Sequence, residues 1–202
     1  MDSKIIYYIL SYLLGSIPFA LIVSLPQGKD PRKEGSKNPG ATNVARLLGK
    51  KWGIVTFIGD AGKGLLALYC VKIFSSQGFM ENPQLYAGVA FFAVTGHLFS
   101  VFLKFQGGKG VATTIGTFLV LTPKAMLGSL LFFFPLVYFS GFVSLGSIIA
   151  MLSLPILIYI FKYPVEYFYC AAVLSVLIIY KHKENIKRLL KGEEKTWKKN
   201  TL

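Results

Sequence analysis

The chain has 202 residues, of which 53% are hydrophobic and only 15% are charged, and its formal net charge is +13. Soluble domains carry about 25% charged residues, so this composition excludes an ordinary soluble domain. An aromatic share of 15% excludes a disordered chain. The two cysteines, Cys70 and Cys170, stand alone in separate apolar segments, which excludes a disulfide framework and a cysteine-based zinc site.

Apolar segments run through nearly the whole chain and predict an all-α polytopic membrane protein with seven transmembrane helices. The predicted spans, within one integral-membrane domain of residues 1–202, cover about 5–25, 53–74, 85–103, 111–121, 125–140, 145–161 and 165–180. The first lacks a small-x-small cleavage pattern and is expected to be retained. The fourth is short, and crosses the membrane only if the glycine-rich loop before it lies within the membrane plane.

One uncharged stretch, residues 125–161, is too long for a single helix across a bilayer core of about 30 Å. We therefore expect a break at Ser140-Gly141 or within 144–146, which separates the fifth span from the sixth.

Most basic residues fall in three segments, 26–52, 104–109 and 181–202, which hold 17 of the 22 Lys and Arg. With seven spans, all three segments lie on one side of the membrane. The positive-inside rule makes that side cytoplasmic and leaves the N-terminus outside. The charge also suits anionic lipid or phosphate ligands. Nucleic acid is not an expected partner, because no soluble module combines basic and aromatic residues.

The first cytoplasmic loop is dense in polar side chains. Asn38-Pro39-Gly40 predicts a tight turn in which Gly40 can take a positive φ. Thr42 is then expected to cap a short interfacial helix that ends near Gly49. Its polar face presents amide and guanidinium groups three residues apart. We interpret the loop as ligand-binding rather than as a plain connection, with candidate residues Ser36, Asn38, Gly40, Thr42, Asn43 and Arg46.

Asp60 and Lys63 lie inside the second predicted span. Side chains three residues apart on a helix can pair, and charges at membrane depth are costly unless paired. The sequence leaves two interpretations open: a functional site, or an ion pair that fixes helix packing.

A glycine-rich loop, GGKG at 107–110, precedes the fourth span. Its backbone N–H groups can form an anion nest, and the helix that follows adds the positive end of its dipole. It is not a nucleotide-binding P-loop, because Leu103 occupies the first glycine position and Gly110 replaces Ser or Thr. We predict a phosphate site with candidate residues Lys104, Gly107, Gly108, Lys109 and Gly110.

The C-terminal tail places His182, Asn185 and Arg188 on one face of a predicted helix. His97 and His182 are the only histidines, and neither has a nearby Cys or His. A zinc site is therefore not expected, and we predict no metal and no cofactor. Each histidine is either structural or a catalytic base.

Four motifs together closely resemble the bacterial acyl-phosphate:glycerol-3-phosphate acyltransferases, the PlsY family, over essentially the whole chain. They are the loop at 36–46, GHxF…FxGGKGVAT at 96–113, the tail HxxNIxRLxxGxE at 182–194, and LGSIP at 14–18 with GDxxKG at 59–64.

The resemblance implies a bacterial inner-membrane enzyme with its active site at the cytoplasmic face. It would acylate the 1-hydroxyl of sn-glycerol 3-phosphate from a fatty acyl phosphate, giving lysophosphatidate and phosphate. Membrane lipid and an enzyme that produces acyl phosphate are the implied partners. By position, Ser36, Asn43, Arg46 and Lys104 would hold one phosphate. The glycine loop with Lys109 would hold the other or shape the pocket, and His182 and Asn185 would close the site.

The proton of the attacking hydroxyl has two routes, a histidine (His97 or His182) or a phosphate dianion of a substrate, and we favour the phosphate. A small transporter of a phosphorylated solute is the alternative function, although the polar motifs cluster on one side and no internal repeat is present. A phosphatidyltransferase is disfavoured, because the nine acidic residues form no Mg²⁺-binding cluster.

Overall fold

The computed structural model describes residues 3–197, whose regular secondary structure is helical and which contain no strand. The α-helices within this range are α1 (Ser3–Ser16), α2 (Phe19–Ser24), α3 (Ala41–Leu48), α4 (Lys50–Ser75), α5 (Pro83–Leu98), α6 (Val111–Leu121), α7 (Pro123–Ser140), α8 (Val143–Ile160), α9 (Val165–Lys181) and α10 (Lys183–Leu190). Short 3-10 helices cover Leu25–Gln27 and Val101–Leu103. The chain divides into two compact units, Met1–Leu121 and Thr122–Leu202. Residues 1–2 and 198–202 of the predicted single domain lie outside the described residues.

Five segments of the described chain are long and apolar enough to cross a membrane: Lys4–Gln27, Lys50–Ser75, Pro83–Leu103, Pro123–Ser140 and Val143–Ile160. The pair α9 and α10, bent by 60°, adds a sixth if it is taken as one span. Helix α6 has 11 residues, which at the usual rise per residue cover roughly 16 Å of a bilayer core of about 30 Å. A polytopic helical membrane protein is therefore confirmed, whereas seven spans and their orientation stay a prediction.

The first span is broken rather than continuous. Helix α1 ends at Ser16 and α2 begins at Phe19, because Pro18 has no N–H to continue the helical hydrogen bonds. Hydrogen bonds tie the break to α5 and to the turn after it. Ser100 Oγ donates to Ser16 O at 2.6 Å, and Ser16 Oγ donates to Gly96 O at 3.2 Å.

Small residues let α1 and α5 approach closely in the first unit. A methyl group at Gly15 would overlap the backbone of Ala93, and one at Gly96 would overlap the carbonyl oxygen of Tyr12. Close backbone contact of this kind is how helices associate within a membrane, where lipid is as apolar as the side chains. The crossing brings the break in the first span next to the C-terminal end of α5.

Helix α3 is the predicted short helix of the first loop, and it ends at Gly49 as expected, with φ 93°. The predicted cap was wrong. Gly40, not Thr42, is the N-cap, and its carbonyl accepts the N–H groups of Asn43 and Val44 at 3.0 and 3.1 Å. Gly40 is extended, with φ −157°, so the positive φ expected there is also wrong. The chain enters the helix earlier because the Gly40 carbonyl itself begins the helical hydrogen bonds.

In the second unit, the break between the fifth and sixth spans falls at the first of the two predicted places. Helix α7 ends at Ser140, and Gly141 takes φ 79°, a left-handed conformation that favours glycine. Helices α7 and α8 pack together, as do α8 and α9. His182 lies at the bend between α9 and α10. The predicted tail helix begins there. His182 is the N-cap of α10, Asn185 and Arg188 lie within that helix, and α10 is bent by 60° from α9.

Candidate active site

Three of the four polar motifs meet within the first unit. Pro39 from the first loop, Gly108 from the glycine loop, and the Asp60 and Lys63 side chains from α4 all line one small cavity, as does His97 from α5. The Asn38–Gly40 turn is present, because Gly40 N–H donates to Asn38 O at 3.0 Å. Residues far apart in the chain thus converge where the polar loops meet the membrane helices.

Asp60 and Lys63 form the ion pair that their spacing predicts. Lys63 Nζ lies 2.9 Å from Asp60 Oδ1 and also donates to the carbonyl oxygen of Ile17 at 2.8 Å. Both residues are buried, with exposed fractions of 1% for Asp60 and 4% for Lys63. Pairing is what makes two charges tolerable at this depth. The ammonium group also satisfies a carbonyl at the break of the first span.

His97 lies between this ion pair and the glycine loop. Its Nδ1 is 3.3 Å from Asp60 Oδ1, and its carbonyl oxygen accepts the Gly108 N–H at 3.1 Å. A methyl group at Gly108 would overlap His97 Nε2. Only glycine lets the loop lie directly on the imidazole.

The glycine loop leads directly into α6. Gly110 has φ 86°, and Val111 begins the helix, so the positive end of the helix dipole lies next to the loop. Lys109 is half-buried and Lys104 is exposed. Lys104 and the following Phe105 have φ values of 50° and 62°, which non-glycine residues rarely adopt. Strained backbone of this kind often marks functional positions, which fits the predicted role of Lys104.

Asn43 lies where its carboxamide shapes the first loop. The residue is buried, its Oδ1 accepts the Ser36 N–H at 2.8 Å, and its Nδ2 donates to Pro31 O at 2.9 Å and Glu34 O at 3.0 Å. The family resemblance implies a direct phosphate contact for Asn43, but these hydrogen bonds use its amide to hold the loop. Arg46, one turn further, is exposed, whereas Ser36, Asn38, Gly40 and Thr42 are half-buried.

The acidic residues of the first loop are neutralised within it. Arg32 Nη2 lies 2.8 Å from Asp30 Oδ2, and the hydrogen bonds from Arg32 hold the pKa of Asp30 at about 2. Lys29 Nζ lies 2.9 Å from Glu34 Oε2, and this hydrogen bond lowers the pKa of Glu34. Within residues 3–197, no three His, Cys, Asp or Glu side chains cluster closely enough to hold a metal ion.

The fourth motif lies in the second unit and is organised by Glu194. Asn185 Nδ2 and Ser144 Oγ donate to Glu194 Oε1 at 2.6 and 2.8 Å, and Arg188 Nε donates to Oε2 at 2.7 Å. Burial alone would raise the pKa of Glu194, but these hydrogen bonds outweigh it and lower the pKa. His182 is buried, with Nδ1 2.8 Å from Ile178 O.

Glu194 is the last residue of the tail motif at 182–194, and no role was predicted for it. The signal was available, because an acidic residue at the end of a strongly basic tail, six residues after Arg188, is a natural partner for its guanidinium.

A large apolar groove continues from the polar cavity in the first unit. Its volume is about 730 Å³, and α1 and α4 supply most of its walls, with Ala67, Cys70, Val71 and Phe74 on the α4 side. Phe102 lines it near the glycine loop, and Ile17 lines both the groove and the polar cavity. The cavity that holds the Asp60–Lys63 pair and the hydrocarbon-lined groove therefore adjoin at one residue, Ile17.

Comparison with known proteins gives consistent results. The family described as Glycerol-3-phosphate acyltransferase matches residues 5–192. The glycerol-3-phosphate acyltransferase of Desulfotalea psychrophila is 45% identical over 195 residues, which cover 96% of this chain and 98% of that protein. The corresponding protein of Solidesulfovibrio magneticus is 44% identical over 195 residues, covering 96% and 95%.

Two crystal structures of PlsY (YgiH), an integral membrane glycerol 3-phosphate acyltransferase, share the fold. The glycerol 3-phosphate form has a TM-score of 0.89 at 39% identity, covering 98% of this chain and 96% of that one. The lysophosphatidic acid form has a TM-score of 0.87 at 38% identity, with the same coverage. This chain therefore belongs to the PlsY family of glycerol-3-phosphate acyltransferases and is a membrane acyltransferase.

Proposed function

We propose that this protein transfers a fatty acyl group from acyl phosphate to the 1-hydroxyl of sn-glycerol 3-phosphate, releasing phosphate and forming lysophosphatidate. The choice of acceptor is supported by the family and by the glycerol 3-phosphate and lysophosphatidic acid forms of PlsY. The choice of an acyl phosphate donor is supported by the anion-binding loops.

The single observation that carries the proposal is that Ile17 lines both the polar cavity and the apolar groove. The two substrates together present two phosphates and one long hydrocarbon chain. Phosphates require N–H groups and cations, whereas the chain requires apolar surface shielded from water. The glycine loop reaches the polar cavity at Gly108, and that cavity adjoins a groove of about 730 Å³ at Ile17, so both kinds of surface lie side by side.

We assign the phosphate contacts to two loops. In the first loop, Ser36, Asn38, Gly40, Thr42 and Arg46 are the proposed contacts, and Asn43 acts by shaping that loop. In the second, Lys104, Lys109 and the backbone N–H groups of Gly107 and Gly110 form the anion site, and Gly108 shapes the loop because its own N–H donates to His97 O at 3.1 Å. On the resemblance alone, His97, His182 and Asn185 are candidate catalytic residues, and Arg188 is a further binding candidate.

The chemistry needs little beyond orientation and charge neutralisation. The hydroxyl oxygen attacks the acyl carbon, an ester bond forms, and the carbon–oxygen bond to phosphate breaks with its electron pair leaving on phosphate. Phosphate is a good leaving group, so holding the reactants in line supplies much of the rate. The hydroxyl proton passes to a substrate phosphate dianion, because second phosphate pKa values lie near 6.

We further propose seven spans with the N-terminus outside and the active site at the cytoplasmic face of a bacterial inner membrane. This orientation is supported by the basic residues of 26–52, 104–109 and 181–202. An enzyme that produces acyl phosphate is the proposed partner, since that donor must be made nearby.

The test of the reaction uses purified full-length protein in detergent or lipid mesophase. Glycerol 3-phosphate is supplied with palmitoyl phosphate or with palmitoyl-CoA, and lysophosphatidate and phosphate are followed. We expect turnover with palmitoyl phosphate only. Turnover with palmitoyl-CoA but not with palmitoyl phosphate would contradict the proposed donor. No turnover of folded protein with either donor would contradict the proposed reaction, and phosphate-ester transport would then be the function to test.

The proton route is tested with His97→Ala and His182→Ala. If a substrate phosphate is the base, both variants keep measurable turnover. A complete loss in a variant that still binds glycerol 3-phosphate would instead identify that histidine as the base.

A further inference from the structure

The Asp60–Lys63 pair has no part in the reaction as proposed, although it lies beside the site. A buried ion pair that only fixes helix packing can often be replaced by uncharged residues of similar size without loss of stability. The question is whether Asp60 does more than pair with Lys63. Two contacts of the described residues and the size of the cavity that they line indicate that it does.

The first contact joins α4 to α5. Asp60 Oδ1 lies 2.9 Å from Lys63 Nζ and 3.3 Å from His97 Nδ1. One carboxylate oxygen therefore faces both the ammonium group and the imidazole. A carboxylate opposite one imidazole nitrogen selects the tautomer with the proton on that nitrogen and orients the ring. Asp60 therefore holds the imidazole with Nδ1 toward α4 and Nε2 toward the glycine loop.

The second contact joins His97 to the glycine loop through both its backbone and its ring. Its carbonyl oxygen accepts the Gly108 N–H at 3.1 Å. The ring nitrogen Nε2 lies so close to the Gly108 Cα that a methyl group there would overlap it. A small rotation of the ring would thus move the loop whose N–H groups are the proposed phosphate ligands.

The third observation separates positioning from catalysis. The cavity bounded by Asp60, Lys63 and His97 has a volume of about 10 Å³, roughly the space that a single water molecule needs. That space is too small for a phosphate, so the proposed phosphate contacts lie on the loops outside it, and Asp60 reaches them through His97. Both carboxylate oxygens of Asp60 are buried and neither has a regular hydrogen-bond partner among residues 3–197. The close charged contacts, to Lys63 Nζ at 2.9 Å and His97 Nδ1 at 3.3 Å, are both made by Oδ1, so Asp60 acts through that oxygen.

We propose that Asp60 is a positioning residue, which orients the His97 imidazole from within α4 and through it holds the 107–110 loop in its anion-binding shape. Lys63 neutralises Asp60 and fixes α4 to the break in the first span. The inference rests on the proposed phosphate-binding role of the glycine loop.

The main test is the uncharged pair Asp60→Asn with Lys63→Gln, compared with Thr56→Val. Thr56 is fully buried one turn before Asp60 on the same helix and donates only to Trp52 O, at 2.9 Å, which makes it a matched control. We expect the uncharged pair to fold and to lose at least about tenfold in kcat/KM, since small misplacements of a substrate are costly. The control should keep the wild-type value.

The loss should have a kinetic form that a packing defect would not produce. A loop that no longer fits its phosphate raises KM for one of the two phosphate substrates and leaves the other unchanged. A smaller fraction of folded enzyme would lower kcat and leave both KM values unchanged. Near wild-type turnover of the uncharged pair, or a loss in kcat alone, would overturn the positioning role.

Two further measurements keep the proposal testable if the uncharged pair does not fold. Asp60→Glu keeps the charge but moves the carboxylate, and should show the same rise in KM. In a His97→Ala background, Asp60→Asn should lower kcat/KM by a further factor of less than about two, because the effects of residues that act as a unit are not additive. Full additivity would overturn the route through His97. Inactive wild-type protein would instead refute the proposed function itself.

Discussion

The carboxamide of Asn185 donates a 2.6 Å hydrogen bond to Glu194, nine residues further along the chain. Ser144, in the first turn of α8, donates to the same carboxylate oxygen at 2.8 Å. A buried acid therefore ties the C-terminal tail to the beginning of a membrane helix, whose positive dipole end also favours a negative charge.

Glu194→Ala should lower the free energy of unfolding by about 2 kcal/mol, because it leaves the side chains of Asn185 and Ser144 without their acceptor. Glu194→Gln keeps an acceptor oxygen and should lower the free energy of unfolding by less than Glu194→Ala does. Thermal unfolding in detergent measures both variants. Equal melting temperatures for wild type and Glu194→Ala would contradict the structural role, and exposed Glu193→Ala is the matched control.

The stability contributed by Glu194 should depend on pH. Its pKa is lowered in the folded protein, since hydrogen bonds from Asn185, Ser144 and Arg188 outweigh the effect of burial. A lowered pKa gives a contribution that is complete above the ordinary glutamate value of about 4.3 and is lost as pH falls through the folded value. The difference in melting temperature between wild type and Glu194→Gln should therefore narrow in acid, and a difference that widens would contradict the assignment.

Arg46→Ala and Lys109→Ala should each lower kcat/KM by about 100-fold, because each removes a charge from a proposed phosphate site. Arg46 is exposed and Lys109 half-buried, so melting temperatures should change little. Lys33→Ala, exposed in the same loop as Arg46, is the control and should keep wild-type turnover. Near-normal activity in either variant would remove that residue from the phosphate site.

Gly108→Ala should abolish most activity, because the new methyl group would overlap His97 Nε2 and lie 2.9 Å from Pro39 O. The loop must then move away from the histidine or from the first loop. Gly62→Ala is the control, since Gly62 lies in α4 with open space around it and alanine is the better helix former. Steady-state turnover of the two variants, alongside their melting temperatures, tests the packing of the loop.

Cys70→Trp should discriminate between donors of different length. Cys70 is half-buried and lines the apolar groove about two turns beyond Lys63. A bulky ring there should reduce turnover with palmitoyl phosphate by about tenfold and spare octanoyl phosphate, which does not reach as far. Tyr69→Trp is the control, because Tyr69 directly precedes Cys70 and is exposed. An equal loss with both donors would place the acyl chain elsewhere.

The features that sequence predicted correctly depend on neighbours in the chain. Asp60 and Lys63 pair because they are three residues apart on one helix. The end of α7 at Ser140 follows from the glycine after it. The contact between Asp60 and His97 joins residues 37 positions apart, and only the packing of α4 against α5 brings them together.

The roles of polar residues in loops were predicted less well, because each such side chain can bind a ligand, cap a helix or hydrogen-bond the nearby backbone. Asn43 was assigned to a ligand but satisfies backbone groups at Pro31, Glu34 and Ser36. Thr42 was assigned to a helix cap that Gly40 takes instead. A sequence shows how many hydrogen-bonding groups a loop contains, but the path of the backbone decides which of them remain for a substrate.

The hydrogen bond from Lys63 to the Ile17 carbonyl also bears on how the protein is assembled. An apolar segment interrupted at Pro18 enters lipid with a backbone carbonyl that its own helix does not fully satisfy. That carbonyl gains its ammonium partner only when α4 has been inserted beside it. We therefore expect the N-terminal segment to remain in an intermediate conformation during biosynthesis, and to reach its final form as the second hydrophobic segment leaves the translocon.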